Sequence, residues 1–189
     1  IDDVYTVAGD TVDVGPGTYT EQVIVNKSLS LVGTGAPVIT PPTSAVAYIY
    51  PETGKWWEPV VFAYGGTADV SNVITGSDTI TFNMSGFIVD GADRVPGSGH
   101  RTAGILLRNV DGVISYNTVE NMLIDGFETF GIIAQGDSEI TIDHNTVSGY
   151  ARGGIAANGD ASSTYIDPVA TITNNIVSGP GMGIAVTWA

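Results

Sequence analysis

The sequence predicts an all-β chain wound as a parallel β-solenoid, or β-helix, of about six to seven coils. Three observations point there. Four similar nine-residue lines recur in the C-terminal half, apolar and polar residues alternate inside each line, and each strand-like segment is too short to bury its apolar side alone. The lines are Asn83-Met-Ser-Gly-Phe-Ile-Val-Asp-Gly91, Val113-Ile-Ser-Tyr-Asn-Thr-Val-Glu-Asn121, Thr141-Ile-Asp-His-Asn-Thr-Val-Ser-Gly149 and Thr171-Ile-Thr-Asn-Asn-Ile-Val-Ser-Gly179. Aligned on their fifth residue, Phe87, Asn117, Asn145 and Asn175 form one column at spacings of 30, 28 and 30. Each line has a partner further on, opening at Gly104, Gly131, Gly154 and Gly183, at spacings of 27, 23 and 29. Unequal spacing with matched registers means fixed strands joined by loops of variable length.

Met84, Ile114, Ile142 and Ile172 share one column, and Val89, Val119, Val147 and Val177 share another. Ser85, Ser115, Asp143 and Thr173 lie between them and point outward if the first column points in. Stacking each turn of chain on the next, about 4.8 Å apart, pairs all strands in parallel and makes one core, a rod on the order of 30 Å long. The Asn column suits a bend, because Asn tolerates left-handed backbone angles and its amide can bond the Asn one coil away. Upstream, Asp10–Val14, Gln22–Val25 and Leu29–Val32 read as strands broken by Gly15-Pro16-Gly17 and Asn26-Lys27. Residues 41–78 break the rhythm, and their first part, 41–64, reads as an aromatic-rich insertion, a hairpin, on a single domain spanning 1–189. Both ends read as cut, the chain opening directly at Ile1-Asp2-Asp3 and the run from Gly183 stopping straight after a strand. An open solenoid end exposes unpaired backbone, so the chain reads first as a fragment of a longer protein and second as a subunit whose neighbours cover its ends.

Composition narrows the partners. Twenty Asp and Glu against six Lys and Arg give a formal charge of −14, which argues against nucleic acid. Charged residues are only 14% of the chain, so the acidity comes from scarce cations and not from an acidic tail. No apolar stretch approaches the ~20 residues that cross a bilayer, so this segment is not expected to insert in a membrane. The absence of cysteine removes disulfides and thiolate chemistry.

The run Gly15-Pro-Gly-Thr-Tyr-Thr-Glu-Gln-Val-Ile-Val25, followed by Ser28-Leu-Ser-Leu-Val-Gly33, resembles the opening coil of right-handed parallel β-helix proteins of the pectin-lyase-like superfamily. The four later lines look like that superfamily's generic repeat. The resemblance implies a right-handed helix and a secreted or cell-surface setting. It leaves activity open, because the fold carries lyases, hydrolases, esterases, adhesins and surface-layer proteins. Gly17-Thr-Tyr-Thr-Glu21 also matches the first signature of pectin methylesterases, but none of that family's catalytic blocks follows, and the motif reads as a structural turn.

Three groups of residues are candidates for function. Asp90 and Glu120 align on successive coils, where two carboxylates would repel unless a hard cation such as Ca²⁺ binds both. Asp93, Asp125 and Arg94 follow nearby, and Arg152 aligns with Arg94. Pectate lyases are similar: stacked carboxylates hold Ca²⁺ against a uronate while an arginine takes a proton, which would make Asp90, Glu120 and Arg152 catalytic candidates. The plain alternative is a solvated acidic face. Tyr48, Tyr50, Trp56, Trp57 and Tyr64 form the second group, open to three readings: a platform for sugar rings, a hairpin buried against the coil, or a contact to another subunit. The third consists of Asn26 and Asn83, which fit the Asn-x-Ser acceptor pattern for glycans. His100 reads as a loop residue, His144 as a turn residue, and Gly153-Gly154 as a solenoid corner. The leading expectation is a non-catalytic extracellular or cell-surface structural or adhesive module without a cofactor, binding polysaccharide or stacking on like subunits. The alternative is a Ca²⁺-assisted polysaccharide lyase.

Overall fold

The computed structural model describes residues 6–51, 53–122, 128–159 and 166–188. Among them there is no helix, and the strands form three parallel six-stranded sheets, so the chain winds through six coils. This is the parallel β-helix the repeat predicts. The first face stacks Asp10–Val14, Leu29–Gly33, Ile80–Ser85, Val110–Ser115, Glu139–Asp143 and Val169–Thr173. The second stacks Thr18–Thr20, Val38–Thr40, Ile88–Asp90, Thr118–Glu120, Thr146–Ser148 and Ile176–Ser178. The third stacks Val23–Val25, Val61–Tyr64, Thr102–Arg108, Thr129–Gln135, Gly153–Gly159 and Met182–Trp188.

The aligned columns of the sequence are register partners in space. Met84, Ile114, Ile142 and Ile172 pair in turn, as do Val89, Val119, Val147 and Val177. The inner members are fully buried and form one core with Ile105, Ile132 and Ile155 of the third face. Burying each such side chain contributes roughly 2 kcal/mol, and no single coil could do it without a neighbour. The Gly131 position shows why the third face opens with glycine: a Cβ there would collide with the Val147 methyl and the Gly154 carbonyl. Gly153 and Gly154 correct one expectation, since they begin a third-face strand instead of turning a corner.

The corner between the first and second faces carries the asparagine column. Asn145 Oδ1 accepts from the backbone N–H of Asn117 at 3.0 Å and from its Nδ2 at 3.1 Å, while Asn145 Nδ2 donates to Ile114 O at 2.8 Å. Asn175 repeats this toward Asn145, and Asn117 accepts from Phe87 N–H. Asn117 and Asn145 are buried, so the ladder satisfies backbone groups that no strand reaches. The left-handed residue, however, is the one before each Asn: Gly86, Tyr116, His144 and Asn174 have φ of 82°, 56°, 52° and 53°. The Asn is selected for its amide, and the bend falls on its neighbour.

Two hairpins leave the body. Tyr48–Ile49 pairs antiparallel with Trp56–Trp57, and Thr67–Ala68 with Ile74–Thr75. The chain rejoins the third face at Val61–Tyr64, which places Tyr64 in the coil and not in the hairpin. The outer surface of that face, Phe62, Leu106, Ile133 and Ala156, is covered by Tyr48, Tyr50 and Trp57 in a second buried cluster.

Candidate functional site

The acidic column exists as the alignment requires: Asp90 and Glu120 are register partners on adjacent strands. Asp90 Oδ1 already accepts from Ala92 N–H at 2.8 Å and Asn121 Nδ2 at 3.1 Å, which shapes the turn that follows. Ca²⁺ takes about six to eight oxygens. Among the described residues no cluster of three or more Asp, Glu or His could hold a metal. Asp93 lies in that turn with φ of 49°, and Asp125 falls outside the described residues. Arg152 is not brought to Asp90. It precedes a third-face strand two coils away, and its guanidinium pairs with Glu128.

Sequence reasoning missed where the cations converge. Glu58, directly after the Trp pair, is 5% exposed. Its carboxylate accepts from Arg94 Nη2, from Gly97 N–H at 3.0 Å and meets His100 Nδ1 at 2.5 Å. Burial raises the cost of ionising Glu58, but the bonds from His100, Arg94 and Gly97 outweigh it and hold the carboxyl below its ordinary value. Beside it, Arg101 and Arg152 share the carboxylate of Glu128, and their guanidinium groups lie over Trp57 and Phe130 at 5.5 and 6.0 Å. The remaining arginine, Arg108, is buried: it donates to Gly65 O and Gly76 O and covers the Tyr50 ring, whose hydroxyl donates to Gln135. Arg94, Arg101 and Arg108 thus hold the hairpins and loops onto the third face, while Arg152 ties together the starts of two of its successive strands. The available signal was scarcity, since three of six cations fall between 94 and 108.

This clamp decides the fate of the aromatic group. Tyr48, Tyr50, Trp57 and Tyr64 are 9%, 0%, 0% and 4% exposed, so their faces are closed to a sugar. Trp56 alone is half-buried, with His100 tilted against it at 6.1 Å. Of the open readings, the buried hairpin is the one the packing matches.

The two glycan candidates separate as well. Asn26 is exposed in the turn between the first two coils. Asn83 lies within a first-face strand, where its amide donates to Ser30 Oγ at 3.2 Å and accepts from Val113 N–H at 3.0 Å. A glycan on Asn83 would replace a bond between coils.

Tyr19 of the Gly17–Glu21 motif donates its hydroxyl to Gly15 O and closes the first corner, a structural role. His144 occupies a turn, as read, and its Nδ1 meets Asp143 at 2.6 Å. Hydrogen bonds from Thr173, His144 and Asn174 hold the Asp143 carboxyl down at about 2.

The chain is similar to a cell surface glycoprotein of Methanothermus fervidus. The two are 30% identical over 132 residues, which is 69% of this chain but 16% of that protein. The chain therefore spans about a sixth of the relative's length. No protein-family model matches it, and no solved structure gives a significant match.

Proposed function

We propose that this chain is a structural segment of a cell-surface protein, a β-helical rod of the pectin-lyase-like kind whose sixth coil is stacked on by further β-helical coils, which copies of the chain can supply to one another. Similarity to a cell surface glycoprotein supports the location, and the employment of every arginine in holding loops or successive coils together supports a structural role. The observation that carries the assembly is the sixth coil. Residues 168–188 contain no Asp, Glu, Lys or Arg, although sheet edges are normally guarded by charge. Ile184 and Val186 continue the columns of Ile155 and Ala157, so a further coil laid over them would extend the core. Toward the opposite pole a cavity of about 200 Å³ runs inside the first coils, lined by Val12, Val14, Leu31 and Phe87 together with Glu21 and Gln22. Joining unlike poles of a rod is a head-to-tail contact that propagates as a filament.

Sedimentation velocity and negative-stain microscopy at rising concentration test this. Rods longer than one molecule are expected, and Val186→Lys should return them to monomers. A chain that stays monomeric throughout would overturn the assembly. Only the stacked Asp90–Glu120 pair favours the second reading, a Ca²⁺-assisted lyase. Incubation with polygalacturonate and Ca²⁺ is expected to leave ultraviolet absorbance flat; a rise abolished by Asp90→Ala would establish the lyase instead.

A further inference from the structure

The corner between the first and second faces holds an exposed ring platform that the buried aromatic cluster does not share. Tyr116 is 64% exposed, and its ring lies nearly parallel to that of His144, with centroids 4.9 Å apart and planes 17° apart. Both residues occupy the left-handed corner position that Gly86 and Asn174 hold in the same column. Neither ring contributes to the buried core. Two rings held parallel on successive coils, both facing water and outside the core, are left available to a ligand.

The other face of Tyr116 is kept clear by the backbone. Register places Gly86 beside Tyr116 in the preceding coil, because Ser85 pairs with Ser115. A Cβ on Gly86 would collide with the carbonyl oxygen of Gly33, so no side chain can stand there. The coil before that turns through exposed Thr34, Gly35 and Ala36. A flat aromatic wall therefore rises from a floor of small residues about two coils, or ~10 Å, deep. The wall is braced from behind: Asp143 meets His144 Nδ1 and accepts from Thr173 and Asn174. Ser85 and Ser115, next to Gly86 and Tyr116 in sequence, are register partners on half-buried strand positions beside the notch.

We infer that this notch binds a neutral pyranose unit of a polysaccharide, with the C–H face of the sugar on the open face of Tyr116 and its hydroxyls toward Ser85 and Ser115. A ring face of C–H groups edged by hydroxyls matches an apolar aromatic face edged by polar groups. The molecule's charge of −14 repels uronate chains, which selects the neutral class. The site is complete on one copy, so it does not depend on the end-on assembly proposed above.

Nuclear magnetic resonance titration of the whole chain with cellohexaose and maltohexaose, and with trigalacturonate as the charged control, tests the inference. At least one neutral probe should shift the Tyr116 ring and the amides of Gly86, Ser115 and His144, with dissociation constants in the ~mM range. Tyr116→Phe should bind as the parent does. Tyr116→Asn, which keeps a residue the left-handed corner accepts, should weaken binding by about tenfold or more while the amide spectrum elsewhere is unchanged. The inference is overturned by any of three results: no Tyr116 shift with either neutral probe, neutral binding that survives Tyr116→Asn, or tighter binding of the uronate.

Discussion

Asn145 shows how a single side chain can belong to three coils at once. It accepts two hydrogen bonds from Asn117, donates to Ile114 O, and has its own backbone N–H capped by Asn175 Oδ1. Asn145→Ala leaves two buried donors on Asn117 and a carbonyl acceptor without partners. Unsatisfied buried groups cost about 1–3 kcal/mol each, with partial relief from water at a corner, so a loss of roughly 2–4 kcal/mol is expected in urea unfolding. Thr146→Ala, at the exposed next position, should change stability by less than about 0.5 kcal/mol. Equal losses at the two positions would show that the ladder is ornamental. The column was legible in the sequence because its spacing of 28–30 residues recurs against matched apolar neighbours. The residue that bends was not legible. Asn is a stronger candidate for positive φ than Tyr, so propensity points at the Asn of each line, while the ladder claims that Asn and leaves the bend to its neighbour.

At the scale of elements, the hairpin Tyr48–Trp57 is held by chemistry outside its own strands. Its pairing is only two residues long on each side, too little to persist alone in water. Burial of Tyr48, Tyr50 and Trp57 against the third face, and the clamp on Glu58, supply the remainder. Because the Glu58 carboxyl is held below its ordinary value near 4.5, its contribution is fully present above that value. It is lost as pH falls through the lower, folded-state value. Glu58→Gln should therefore behave below that range as the parent does, and be less stable by about 2–3 kcal/mol at neutral pH, where the parent carboxylate still pairs with Arg94. Tryptophan emission and amide exchange in 48–57 are the readouts; a stability difference independent of pH would mean that Glu58 acts by shape and not by charge. This element was only half legible. The Pro41-Pro42 pair, the Trp56-Trp57 pair and the tyrosines at 48, 50 and 64 announced an excursion, but its burial depends on contacts with Leu106, Phe130 and Ile133, more than 40 residues on, which no local pattern encodes. Glu58 was hidden for the same reason, since its partners come from the 94–100 loop.

For the whole molecule, winding was the most legible property, because a solenoid repeats one local solution and register errors would expose whole columns at once. What repeats did not disclose is how six coils meet their surroundings, and here charge and apolar surface compete. Each copy carries a formal −14, so two copies repel at a distance, yet the sixth coil bears no charged side chain and continues the core columns through Ile184 and Val186. At ~0.15 M salt the screening length is about 8 Å, and near 1 M it is about 3 Å. Repulsion between whole rods is therefore removable without touching the contact itself. Added salt should lengthen the rods, because apolar burial survives screening while net repulsion does not. Acid is a poorer lever, since approaching the isoelectric point near 4.1 also protonates carboxylates that hold loops in place. Light scattering across a sodium chloride series should show growth in the parent and none in Val186→Lys, whose ammonium must lose its hydration at the contact whatever the ionic strength. Rods that shorten as salt rises would instead mean that ion pairs join the ends, and the uncharged sixth coil would then have no part in assembly.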